Sequence, residues 1–225
     1  METSIVSRVS FPIFALSKKE KRFMKESILK KSGEMFLKFG YKSITMDDIA
    51  NELGISKKTI YKYFKNKVEL VDEATDHMHK TMHTEVLKVY EMGFNAIEEN
   101  FESNKVFKGF MQNSDDSPVF QLQKYYPETY KKIMSQEFCM FEDCLSNNIE
   151  KGIKEGLFRK GINVKQVMKF YFSLIMSVHD SNLYTYNKNT INNLELKVLE
   201  YHIRAIATEK GIKVLEQQLA QTNNN

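Results

Sequence analysis

Residues 56–70, SKKTIYKYFKNKVEL, gather side chains of a kind that recognises a polyanion. Lys57, Lys58 and Lys62 stand among the first residues of a short helical segment that Ser56 opens as a cap. Lysine ammonium groups can donate to O6 and N7 of guanine, and the methyl of Thr59 can meet the methyl of thymine. Groups that grip phosphate must surround such a reading surface and set its register. Thr45, at a second helix start, offers a hydroxyl beside free backbone N–H groups. Tyr61, Tyr63 and Lys67 add two phenols and an ammonium. Either tyrosine can instead simply pack, and residue type alone leaves both readings open. No nucleophile–base arrangement, paired acids or cofactor loop suggests catalysis, so no catalytic residue is assigned.

The elements that must position these groups are short. Thr45 caps a helix of about eight residues, with Asp48 in its first turn and Met46, Ile49, Ala50 and Leu53 as its inner face. Gly54 ends it, and Ser56 opens a second helix of about seven residues with Ile60 inward and Phe64 just past its end. Two short helices joined by a tight glycine turn predict a helix-turn-helix. Before them, residues 17–39 read as a helix with Phe23, Ile28, Met35, Phe36 and Phe39 on a broad apolar stripe. Asn66 caps a fourth helix that starts near Lys67 and runs past Met82.

Three prolines and nine glycines in 225 residues leave little to interrupt long helices, so the chain is expected to be all-α with about nine helices. The predicted organisation is a flexible extension over 1–16, a head over 17–66, a larger helical body over 67–216 and a frayed tail over 217–225. Breaks are expected at 91–93, 113–118, 126–127, 161–163 and 185–190, with Pro127 as a first helical residue. Charge divides the same way. Residues 17–70 hold fourteen Lys or Arg against seven Asp or Glu, a net of +7, while residues 71–225 hold eighteen against twenty-one, a net of −3. A basic end on a mildly acidic body suits a protein that meets nucleic acid at one end.

Other classes find little support. Cys139 and Cys144, five apart in one helix, suit neither a disulfide framework nor a zinc site, which favours a reducing, cytoplasmic setting. No apolar run approaches a membrane span, and residues 9–16 read as an extension rather than a signal peptide. His79 and His83 stand four apart, but a metal would need further ligands, so they read as helix surface. Neither a metal nor a cofactor is expected.

The stretch ILKKSGEMFLKFGYKSITMDDIANELGISKKTIYKYFKNKVEL resembles the DNA-binding domain of the TetR family of bacterial transcriptional regulators. Phe39–Gly40–Tyr41, SITMDDIA, LGIS and TIYKYFKNKVEL carry the likeness, over about a fifth of the chain. The resemblance implies a repressor with a three-helix head, a linking fourth helix, a ligand cavity in the body, and two last long helices that pair about a two-fold axis. It places Thr45 on phosphate, Lys57, Lys58 and Thr59 in the base-facing turn, Tyr61 and Tyr63 on the backbone, and Lys67 at the start of the linking helix, while Ser56 and Lys62 join the groove-facing set from their place in the short helix alone. Many members have glycine where Lys58 stands here, so the operator cannot be borrowed from a relative.

The implied partners are double-stranded DNA with a near-palindromic site, a second copy joined through helices at about 164–183 and 190–216, and an apolar or aromatic small molecule. Large soft side chains of the body that can line a cavity are Phe94, Phe110, Met111, Phe120, Met134, Phe138, Phe141, Phe172 and Met176, with His179 as a polar contact. An alternative is a module of the same fold that activates transcription, recruits a protein or works without an inducer.

Overall fold

A computed structural model of the chain describes residues 17–111, 118–179, 183 and 188–223. Ten helices account for most of them: α1 Lys18–Phe39, α2 Met46–Glu52, α3 Lys57–Tyr61, α4 Lys67–Glu91, α5 Ala96–Met111, α6 Pro118–Tyr125, α7 Pro127–Lys154, α8 Val164–Val178, α9 Lys188–Ile206 and α10 Glu209–Asn223. Among the described residues the sole β feature is an isolated bridge between Phe158 and Ala207. None of the described helices is long and apolar enough to cross a membrane.

The head forms around Ile28, Phe36, Ile49, Ile60, Phe64 and Leu70, all nearly sealed from solvent. Ser17 and Glu20 close a capping box at the start of α1, and Thr45 and Asp48 close another at α2. Gly54, at φ 63°, turns the chain between α2 and α3 through a conformation that a Cβ would strain. The predicted stripe on α1 is corrected in part. Ile28, Leu29, Ser32, Gly33 and Phe36 face inward, whereas Phe23 and Phe39 are exposed. The inner face follows the crossing of α4, which comes so close that a Cβ at Gly33 would collide with the Met78 side chain.

A second core lies in the body, where Ile97, Phe101, Ile149, Phe158, Met168, Leu199 and Ile203 meet. Two pieces of the body also reach the first core: Leu122 of α6 is buried within it, and Tyr126 and Tyr130 pack against it. Helix α4 runs from the first core, which holds Leu70, Val71 and Ala74, into the body, where Met82, Val86 and Val89 are buried outside the second core. Pro127 opens α7, as its fixed φ and missing N–H favour.

The last stretch differs from expectation in two ways. The segment expected as one helix over 190–216 is broken after Ile206, giving ten helices rather than about nine. There the N–H of Arg159 donates to Ile206 O and that of Thr208 to Leu157 O, so chain returning from α7 competes for the backbone groups that would continue the helix. The hydroxyl of Thr208 then accepts from the Gly211 N–H and starts α10. A Cβ at Gly211 would collide with the Leu157 carbonyl. The tail does not fray at 217 but stays helical to Asn223, with Leu215 and Leu219 against the body core. Helix α8 ends at Val178 rather than near 183.

Candidate functional site

The surface built around α2, α3 and the start of α4 carries the residues singled out from the sequence. Thr45 precedes α2, and its hydroxyl both accepts from the Asp48 N–H at 3.2 Å and donates to the Asp48 carboxylate at 2.7 Å. These bonds hold the Asp48 carboxyl below its ordinary pKa. Ser56 caps α3 by accepting from the Thr59 N–H at 3.1 Å, and the two hydroxyls lie 2.9 Å apart. The cap aims the first turn outward: Lys57, Lys58 and Lys62 are exposed, while Ile60 beneath them is sealed.

The cations are not equivalent. Lys57 donates to Asp47 of α2 at 2.6 Å, and that bond raises its pKa. Lys67 lies half-buried, donates to the Lys42 carbonyl at 3.2 Å and stands 6.0 Å from the Phe36 ring centre. Burial lowers its pKa, partly opposed by the nearby Asp48 charge. The two tyrosines separate as well. Tyr61 is exposed, whereas Tyr63 is half-buried against the head core with its ring 6.4 Å from that of Phe64. The nine predicted positions thus share one region of the head, with Tyr63 also serving its core.

A cavity of about 250 Å³ lies in the body, between α4, α5, α7 and α8, with α6 toward the head. Of the residues predicted to line it, Phe110, Met134, Phe141, Phe172, Met176 and His179 do so. Phe138 does not. It packs behind the wall, its ring 5.1 Å from that of Phe172 in an edge-to-face contact. Phe94 lies before α5, where its carbonyl takes the Lys151 ammonium, and Phe120 is on the exposed side of α6 with Lys124 over its ring. Phe94 stands in the turn ahead of α5 rather than on a helix that lines the cavity, and the helical spacing of α6 turns Phe120 to solvent. The side chain of Met111 lies outside the described residues.

Apart from His179, the polar groups of this cavity are not among the residues predicted to line it. His79 was read as helix surface, yet it is buried, with Nε2 2.6 Å from Glu137 Oε2 across the α4–α7 contact. His179 Nε2 stands 3.0 Å from Glu195 Oε1, joining α8 to α9. His83 lies 3.9 Å from the Cys144 sulfur, whose pKa is raised chiefly by burial. Tyr90 and Tyr171 are also held in the phenol form by burial. The sequence held a signal for Glu137: it interrupts the apolar run Ile133–Phe141–Cys144 at helical spacing, where a charge needs a buried partner. Among the described residues no group of three or more His, Cys, Asp or Glu is placed to hold a metal ion.

Comparison with known proteins agrees with this geometry. Residues 28–74 match the family model described as bacterial regulatory proteins, tetR family. The HTH-type transcriptional regulator YhgD of Bacillus subtilis (strain 168) is 28% identical over 165 residues, covering 67% of this chain and 82% of that protein. A transcriptional regulator from Cytophaga hutchinsonii shares the fold at a TM-score of 0.68 and 18% identity, over 81% of this chain and 98% of its own. A transcriptional regulator from Saccharomonospora viridis, solved in complex with choline, superposes at 0.65 and 16% identity, over 84% of this chain and 100% of its own.

Proposed function

We propose that this chain, which belongs to the tetR family of bacterial regulatory proteins through its residues 28–74, is a cytoplasmic, ligand-responsive transcriptional repressor without enzymatic activity. It binds a near-palindromic operator as a homodimer. A small molecule bound in the body cavity releases it. The observation that carries this reading is the path of α4. One uninterrupted helix begins beside Lys67 at the basic surface and ends beyond the cavity wall, with His79, Met82, Val86 and Tyr90 facing into that cavity.

On the head, Lys57, Lys58 and Thr59 read base edges, Ser56 and Lys62 flank them, and Thr45, Tyr61, Tyr63 and Lys67 hold phosphates. Pairing through α8 and α9 sets two heads on half-sites about one turn apart. Ligand shifts the population toward dimers whose heads are mis-spaced, which requires that it prefer that state over the DNA-bound one. Choline bound to a neighbour of the same fold supports small-molecule binding in such a body.

Fluorescence anisotropy of the purified protein on DNA flanking its own gene, against scrambled DNA over a salt series, tests the reading. A preference of about 1,000-fold with a steep salt slope is expected. Equal, weak binding to the flanking, scrambled and genome-selected DNA would defeat it.

A further inference from the structure

We propose that the body cavity takes an organic cation with an apolar or aromatic framework, and that the positive centre replaces His79 at the Glu137 carboxylate. The inference rests on the ligand-responsive reading above and names the ligand class and the trigger for that same cavity.

The charge of the cavity wall points to a cation. Two carboxylates, Glu137 and Glu195, line it, and among the described residues no lysine or arginine does. Each carboxylate is met by one imidazole, at 2.6 Å for His79 and 3.0 Å for His179. An anionic ligand would bring a third negative charge into this space with no ammonium or guanidinium to receive it. A neutral apolar ligand would strip the remaining water from both carboxylates and leave each with its single imidazole contact, and desolvating a charge without a new partner is costly. A cation returns a charge-assisted contact to a carboxylate. It also meets ring faces, since Phe141 stands 5.2 Å from Phe172 and 5.4 Å from Tyr171 on the same wall.

The place of Glu137 makes this binding consequential. Helices α4 and α7 are joined by a row of polar contacts that begins near the head. Lys132 donates to Asp72 at 2.8 Å in the open, Gln136 donates to Asp76 at 3.2 Å half-buried, and His79–Glu137 is the rung that reaches the cavity. A cation that captures Glu137 removes this inner rung. Of the polar rungs between α4 and α7 two then remain, and water screens the outermost of them, Lys132–Asp72. The ligand thereby favours a shifted α4 through a contact that exists in one state and not the other, as a population shift requires.

The test uses the full-length protein and two ligands of the same shape and different charge, phenyltrimethylammonium and tert-butylbenzene, with benzenesulfonate as the anion. Displacement of the neutral dye Nile red reports occupancy of the cavity, and anisotropy on operator DNA reports release. The expected result is displacement by the cation at a concentration about tenfold or more below that of its neutral isostere, with no displacement by the anion. Glu137→Gln should remove most of the difference between cation and isostere, and the isostere itself shows that the variant still folds around a cavity. Equal potency of cation and isostere on the unaltered protein overturns the inference while leaving a ligand-responsive cavity in place. A cation preference that survives Glu137→Gln and is lost in Glu195→Gln overturns the exchange with His79. Absence of Nile red binding, with DNA affinity indifferent to every ligand, removes the underlying reading and the inference together.

Discussion

Lys57 and Lys67 are both lysines of the basic head, yet their surroundings give them different work. Lys57 is solvent-facing and held by Asp47, so contact with a base requires that it leave a carboxylate in water. Lys67 is half-sunk over Phe36 with its ammonium on the Lys42 carbonyl, a fixed point charge at the start of α4. Lys67→Gln should weaken operator and scrambled DNA alike and lower the salt slope by about 1, read by anisotropy across a salt series. At the other end of the chain, His202 stacks on Tyr171 with ring centres 4.1 Å apart, and its Nε2 finds no hydrogen-bond partner among the described residues. Burial pulls its pKa from 6.5 down to about 4. The unfolded chain therefore binds a proton that the folded one refuses. Stability is full above pH 6.5 and falls as the pH drops toward about 4, by about 3 kcal/mol in total. In His202→Phe, which keeps a ring against Tyr171, thermal melts between these pH values should lose that component of their slope.

The capping boxes and the broken last helix decide how well these residues are held. Thr45 satisfies α2 through Asp48, and α2 in turn carries Asp47 to Lys57. Thr45→Ala should cost about 1 kcal/mol in denaturant unfolding. It should also weaken DNA binding by more than the lost hydroxyl contact, because α2 sets the approach of α3. Helix α6 is the body's foothold in the head: Leu122 is buried in the head core and borders the cavity as well. Leu122→Ala should destabilise by about 2–5 kcal/mol in denaturant melts, with loss of the response of DNA affinity to ligand at temperatures where the protein remains folded. If the response were kept intact, α4 alone would carry the coupling.

Over the whole molecule, the outer face of α8 and α9 remains uncovered in the single chain. Phe170 is 60% exposed and Tyr201 66%, beside the half-buried Leu174, Leu194 and Val198. Large apolar side chains grouped on one face of two adjacent helices are what a second copy would cover. The double change Phe170→Asp and Tyr201→Asp should halve the mass measured by light scattering. It should also turn tight operator binding into the weak binding of a single head. An unchanged mass would move the interface elsewhere.

The head was legible because its signals are local. A cap lies one to three residues from the N–H it satisfies, a glycine turns the chain where it stands, and Ile60 and Phe64 are buried by helices encoded within forty residues. Lys57, Lys58 and Thr59 could therefore be placed on one outward turn from spacing alone. The body resisted because its decisive contacts join residues far apart. His79 meets Glu137 across 58 positions, and Ile206 loses its helical continuation to Arg159 across 47. Helical periodicity names the face on which Glu137 or Phe138 lies, but not the neighbour that face will meet, so spacing alone puts Phe138 on the cavity wall and His79 at the surface. Sequence by itself determined the short helices of the head and the basic surface that their caps present. Only the tertiary structure decided which buried carboxylates share one cavity, since that depends on how long helices cross and not on the spacing along any one of them.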